Sequence, residues 1–241
     1  MTRDRRANHQ RVAADLRAKI MAGEIPPRSA LPSTQQLIDG YGVANSTVQR
    51  ALTTLKDEGL VAGERGRGVF VCERRLRLNE PLPYRVPGLD DGYGYDLLEV
   101  STTRPPVEVA AALDLKPGQQ AVLRRRLMRV NREPVELIWS YYPASIAVGS
   151  PLALPGKIRG GAPLALADLG YPQRRMEDRL TVRLPTSAEL ELLELPMEVP
   201  VIRRLRVVFT DRDLAVEASI LVKSGHRSEL LYRRSLDSGA Q

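Results

Sequence analysis

The chain is poor in the residues that staple or metallate a small fold. One cysteine, Cys72, in 241 residues excludes a disulfide framework within the chain. With only two histidines beside it, a zinc site of the Cys/His kind lacks ligands, and no cofactor is expected. No run of about 18 apolar residues occurs, so no membrane span is expected. The basic start, Met1-Thr-Arg-Asp-Arg-Arg6, is not followed by an apolar leader segment, and the expected compartment is the cytoplasm. What is present is enough chain for one or two domains. Hydrophobic residues make up 43%, which excludes a wholly disordered chain. Lys and Arg number 36 against 29 Asp and Glu, a formal charge of +7 and a pI near 9.8. Residues 1–80 hold 14 basic and 9 acidic side chains; residues 81–241 hold 22 and 20. A basic N-terminal third suits an acidic partner such as DNA or RNA, although an arginine-rich composition alone gives the same balance.

Val12, Leu16 and Ile20, with Ala13 beside them, make one apolar helical stripe. Gly23 and Pro26-Pro27 stop that helix. Ser33 is placed to cap a second, short helix, and Gln36 three residues on completes a capping box. Asp39-Gly40-Tyr41-Gly42 breaks it, either glycine being free to take positive φ, and Val43 follows as an apolar plug. In a third helix, over about 45–58, Val48, Ala51, Leu52 and Leu55 share a face, and Gly59 ends it. Two short helices joined by a glycine turn are the helix-turn-helix pattern. In that unit the second helix lies in the major groove with its first residues toward base edges. Asn45, Ser46, Gln49 and Arg50 are the polar outer positions, with Thr47 among them; Ser33, Thr34 and Gln35 open the preceding helix. Amides pair with adenine and Arg with guanine. The alternative is a solvated face on a small helical domain.

Residues 60–71 have two β-prone ends around a Gly/Arg turn and predict a hairpin. Beside a helix-turn-helix it is a wing. Arg65 and Arg67 would reach phosphate or the minor groove, and Gly66 and Gly68 would let backbone approach closely. An ordinary solubilising hairpin is the bland alternative. A P-loop is not: the closing Gly-Lys-Ser/Thr is missing.

Residues 8–71 resemble the winged helix-turn-helix of GntR-type bacterial transcription regulators. The resemblance rests on Leu31-Pro32-Ser33, Tyr41-Gly42-Val43, Thr47-Val48, Ala51-Leu52, Leu55, Glu58-Gly59-Leu60 and Gly66-Arg67-Gly68-Val69-Phe70-Val71. It implies a homodimer on a short palindrome in double-stranded DNA, usually a repressor released by a small molecule. This chain departs from the pattern. The family commonly has Arg at Gln35, Ser-Arg at Ala44-Asn45, and Arg at Gln49. Amides hydrogen-bond without neutralising phosphate, so the operator is expected to differ from the common one. Ala44 also removes the usual capping serine, and Asn45 is the expected substitute cap.

The rest reads as α+β text. Residues 73–80 are a charged connector and 81–94 a loop or lead-in rich in Pro, Tyr and Gly. Domain limits of 1–75 for the head, 76–92 for a linker and 93–235 for the second domain follow. Strands are expected at 97–101, 121–130, 135–142, 176–184, 201–210 and 215–222. Short helices are expected at 109–113, 162–169 and 188–193, the last with Ser187 as cap. Turns fall at 131–133 and 211–213. The order short helix, Leu-x-Pro turn, Arg-rich strand, turn and return strand occurs at 108–142 and again at 187–222. Leu123-Arg-Arg-Arg-Leu127 parallels Ile202-Arg-Arg-Leu-Arg206. Two such units would merge into one antiparallel sheet with helices against it; chance similarity is the alternative.

Residues 93–235 resemble the UTRA effector-binding domain of the HutC subfamily, related in fold to chorismate lyase. The resemblance implies a small-molecule site in which Arg126 helps hold an anionic or sugar-phosphate group. A second family Arg falls at Met128, a common Glu at Ile138, and Glu217 matches a late family Glu. Ser140 stands on the same return strand. The candidate effector set is Arg126, Met128, Ile138, Ser140 and Glu217. Its apolar replacements point to a hydrophobic metabolite bearing a carboxylate or carbonyl; alternatively Met128 and Ile138 are simply core. The expected function is a ligand-modulated DNA-binding regulator and not an enzyme, no nucleophile motif or metal cluster being visible. A ligand-independent plasmid or chromosome maintenance protein, and less readily a lyase-like enzyme, are the other readings.

Overall fold

The structure is a computed structural model that describes residues 4–73, 77–79, 93–196 and 199–231. The chain divides into two compact units, Met1–Leu76 and Arg77–Gln241. The first opens with α1 (Asn8–Ala22), α2 (Thr34–Tyr41) and α3 (Asn45–Asp57). A two-stranded antiparallel hairpin follows, β1 (Val61–Glu64) with β2 (Gly68–Val71). The stripe Val12, Ala13, Leu16 and Ile20 packs on Val48, Ala51, Leu52 and Leu55, with Leu37 and Val71 closing the core. The capping box forms as expected: Ser33 Oγ accepts from Gln36 N–H at 3.2 Å, and Gln36 Oε1 accepts from Ser33 N–H at 2.8 Å. Helix α2 runs through Gly40, and Gly42 alone of the two glycines takes the left-handed turn, at φ 62°.

Two features of this unit are not visible in the apolar pattern. Arg17 of α1 donates through Nε to Glu58 Oε2 at 2.8 Å and through Nη2 to Oε1, and the Glu58 side chain is 1% exposed. A buried carboxylate needs such a partner to offset its desolvation. The segment before α2 also joins the hairpin. Arg28 N–H donates to Val71 O at 2.9 Å, Val71 N–H to Ser29 O at 2.9 Å and Leu31 N–H to Val69 O at 2.8 Å. The wing is thereby tied to the start of α2.

The second unit begins with β3 (Arg77–Asn79), β4 (Tyr93–Thr103), α4 (Val107–Ala112), β5 (Ala121–Val130) and β6 (Glu133–Pro143). It continues with α5 (Ala144–Ala147), a 3-10 turn (Pro151–Ala153), α6 (Gly161–Asp168) and β7 (Arg175–Arg183). It closes with α7 (Ser187–Leu192), β8 (Val201–Phe209), β9 (Ala215–Ser224) and β10 (Ser228–Leu230). Six strands form one antiparallel sheet in the order β4-β5-β6-β9-β8-β7. Short β3 pairs in parallel with β10. So part of the expected connector is strand, and the remainder of 76–92, with 232–235, lies outside the described residues. The lead-in read at 81–94 ends earlier than expected, because Tyr93 and Gly94 already belong to β4.

The two repeats meet in the middle of this sheet, each as strand, helix and hairpin. Ser140 of β6 faces Ser219 of β9 in register. A pseudo-two-fold axis there carries β4-α4-β5-β6 onto β7-α7-β8-β9. The register corrects the sequence alignment of the strands. It matches Arg124 opposite Ser140 with Arg206 opposite Ser219, and hence Leu123 with Leu205 rather than with Ile202. The second turn, residues 210–214, is longer than the first, residues 131–132, and absorbs the slip. One sheet face carries α4 and α7, with Val109, Leu113 and Leu193 against Leu123, Leu127, Tyr141, Leu205 and Val207. On the other, Ala147, Leu152, Ala162 and Leu166 pack on Val122, Tyr142 and Val216. Thr186, not Ser187, caps α7: its hydroxyl accepts from Glu189 N–H at 3.3 Å.

Candidate functional site

The polar surface of the head is built by two helix starts. Ala44, the residue before α3, offers no capping oxygen, and Asn45 is the first residue inside the helix rather than the expected cap. Its side chain is therefore left on the outer face. Asn45, Ser46, Gln49 and Arg50 are exposed, Thr47 half-buried. Gln49 Nε2 lies 3.4 Å from Asn45 Oδ1 and 3.5 Å from Thr34 Oγ1. Thr34, the first residue of α2, is thus brought to the same surface as Asn45 and Gln49. Gln35 is exposed and donates to Asp39 Oδ1 at 2.8 Å along its own helix.

In the wing, Gly66 at φ 76° and Gly68 at φ 113° occupy backbone that favours glycine. Arg65 and Arg67 are exposed at its tip. Arg67 Nη1 sits 2.5 Å from Glu64 Oε2, and its guanidinium lies 5.3 Å from the Phe70 ring centroid. It is held before any partner arrives. Behind this surface, Tyr41 donates its hydroxyl to Asp15, and Lys19 Nζ is 2.9 Å from the same carboxylate. The Tyr41 hydrogen bond, then Lys19, holds Asp15 below the usual carboxylate range; burial, then Asp15, pushes Tyr41 up.

The second site is the sheet face away from α4 and α7. One ladder row reads Arg124, Ser140, Ser219, Arg206 and Asp178; the next reads Arg126, Ile138, Leu221, Arg204 and Leu180. Hydrogen bonds link Ser140 and Ser219 of the first row to Arg126, Glu217 and Gln173 in a chain. Arg126 Nη2 donates to Ser140 Oγ at 2.8 Å, Ser219 Oγ lies 2.7 Å from Ser140 Oγ and 2.6 Å from Glu217 Oε1, and Gln173 Nε2 donates to Glu217 Oε2 at 3.2 Å. Ser140 and Glu217 are fully buried. The Tyr142 hydroxyl beside them is buried, and burial, then the Glu217 charge, drives it well above its ordinary value. Arg124 spends its donors on the carbonyls of Leu152, Leu154 and Gly156, at 3.0, 2.8 and 2.5 Å. Burial works against its charge, and three carbonyl dipoles offset part of that. Among the described residues no group of three or more His, Cys, Asp or Glu is placed to hold a metal ion.

Residues 89–229 match the model of the UTRA domain, and residues 8–71 match that of the bacterial regulatory proteins of the gntR family. The chain belongs to the UTRA family. It is a GntR-type regulator of the HutC-like subfamily, a DNA-binding transcriptional regulator. It is 29% identical to an HTH-type transcriptional regulator of Streptomyces coelicolor, over 89% of this chain and 87% of that one. It is 26% identical to the histidine utilization repressor of Pseudomonas aeruginosa, over 94% and 91%. Among solved structures, a GntR-family transcriptional regulator superposes with a TM-score of 0.65 at 25% identity, covering 96% of this chain and 99% of that one. PhnF from Mycobacterium smegmatis has the same fold, with a TM-score of 0.58 at 21% identity over 94% and 100%.

In this regulator the sequence candidates fall into two sets. Thr34, Asn45 and Gln49 converge in the head. Arg126, Ser140 and Glu217 join in one chain, with Ile138 directly across the ladder from Arg126. Met128 stands apart, lining a cavity of about 50 Å³ with Glu136, Lys223 and Arg227. Sequence reading missed Arg124, Tyr142 and the ion cluster on the same face. There Arg206 grips Asp178 at 2.8 and 2.7 Å, and Lys223 Nζ is 3.0 Å from Glu136. Met128 and Ile138 are apolar substitutions set among buried charges, and Ile138 is buried beside Arg126 rather than inside a hydrophobic cluster. Strand alternation was the available signal. In the Arg124-Arg125-Arg126 run it sends the outer two to one face and Arg125 to the other, 5.5 Å from the Trp139 ring centroid.

Proposed function

We propose that the regulator represses by seating the first turn of α3 in the major groove of an operator. Ser33, Thr34, Gln35, Asn45, Ser46, Thr47, Gln49 and Arg50 face the bases and nearby phosphates, and the 65–68 wing tip grips the adjacent backbone. It acts in the cytoplasm as a homodimer on a palindrome. Its sheet unit, on the chorismate-lyase plan, takes an anionic effector with an apolar portion. Arg126 and Ser140 meet the anion, Ile138 its apolar part, Glu217 positions Ser219 and Ser140, and Met128 lies toward the rim. The chain from half-buried Arg126 through buried Ser140, Ser219 and Glu217 carries this reading. An inward-facing cation tied to a neutral hydroxyl is suited to an incoming acceptor, and the resemblance to a histidine utilization repressor supports release by a metabolite.

The test is a gel shift with duplexes from upstream of the gene, repeated with carboxylate metabolites. Arg126→Met should retain the duplex and lose the response to the compound. If no compound alters the wild-type shift, the protein binds DNA without an effector and the pocket assignment fails.

A further inference from the structure

This inference rests on the proposed placement of α3 in the major groove. We infer that Asn45 and Gln49 act as one unit that reads adenine. The two residues stand at i and i+4 on α3, so their side chains share a face, and both are exposed. The Gln49 amide nitrogen is directed inward, 3.4 Å from Asn45 Oδ1 and 3.5 Å from Thr34 Oγ1. Those contacts consume the donors of Gln49 and the acceptor of Asn45. What the pair presents outward is its complement: the Gln49 Oε1 acceptor and the Asn45 Nδ2 donors, neither with a protein partner among the described residues.

A major-groove edge that fits must offer a donor beside an acceptor. Adenine does, with N6–H and N7. Guanine shows two acceptors, O6 and N7, and would set one of them against Gln49 Oε1. Cytosine offers only its N4 donor and thymine only its O4 acceptor with a methyl group. Thr34 matters because it holds the amide from the neighbouring helix, fixing which edge of Gln49 points out.

Selection of intact protein on a random duplex library, followed by binding to single-base variants of the selected site, tests this. One fixed position should be adenine, preferred by roughly 5- to 150-fold over the other bases. Gln49→Ala should erase that preference while retention of DNA persists, and Gln49→Arg should turn it toward guanine. Circular dichroism of the variants confirms that the helices remain. Guanine at that position with the wild-type protein, or an unchanged preference in Gln49→Ala, overturns the adenine assignment and leaves DNA binding standing. Failure to retain any duplex overturns the groove placement itself.

Discussion

Arg67 meets a phosphate with its remaining guanidinium donors or by exchanging Glu64 for it. The two are 2.5 Å apart and exposed, so the pair is weak in water and the exchange costs little. Arg67→Ala should weaken binding evenly across DNA sequences and reduce the slope of log affinity against log salt by about 1. Filter binding over a salt series measures it. Arg17 is the opposite case. Its partner Glu58 is buried, and removing the guanidinium leaves an uncompensated carboxylate inside. Arg17→Met should destabilise the head by about 3 kcal/mol, read as an earlier urea transition followed by DNA retention. The Arg17–Glu58 contact was not legible in sequence, since the two lie 41 positions apart and only the packing of α1 on α3 brings them together. Asn45 shows the converse limit. Its residue type was informative, but whether it capped α3 or faced outward depended on whether the helix began at 45 or at 46, which residue type alone does not fix.

Elements were legible where one physical pattern dominated. The α1 and α3 stripes, the Ser33–Gln36 box and the two hairpins of the sheet all form near their expected positions. Residues 144–153 carried no periodic signal, and they fold as α5 and a 3-10 turn because the sheet gives them a surface. The β5–β6 turn is a place where the sequence resists its own geometry. Asn131 and Arg132 sit at φ 51° and 71°, the paired left-handed conformation of a two-residue hairpin, which favours Asn-Gly. Arg132→Gly should raise stability by about 0.5 kcal/mol, the relief of left-handed strain exceeding the added unfolded-state entropy. Thermal melting reads this. At the start of α7, Glu189 accepts from Thr186 N–H at 2.8 Å and from Arg183 at 2.6 Å. Burial alone would raise its pKa; the Arg183 and Thr186 hydrogen bonds carry it below the ordinary 4.5. Its folded value being depressed, its contribution is complete above about pH 4.5 and is lost as acid titrates through the lower value. In Glu189→Gln that part of the acid-side slope should vanish from urea midpoints measured between pH 6 and pH 3.

At the scale of the molecule, the sequence repeat disclosed a half-sheet, and the structure shows how two halves join. The join explains why the candidate effector site was only partly readable. Its members come from both copies, Arg126, Ile138 and Ser140 from one and Glu217 from the other, and the repeat alignment slipped by three positions in the strand that matters. The pseudo-axis also marks where the copies diverged. The mate of Arg126 and Ile138 across the axis is Val208 and Glu217, so the two sides of one face carry unlike chemistry.

A strand–helix–hairpin module whose final strand can pair with itself needs no second gene to close a six-stranded sheet; two copies of a half-length peptide suffice. The Ser140–Ser219 contact at 2.7 Å, hydroxyl against its own twin, is the seam along which the two halves mirror each other.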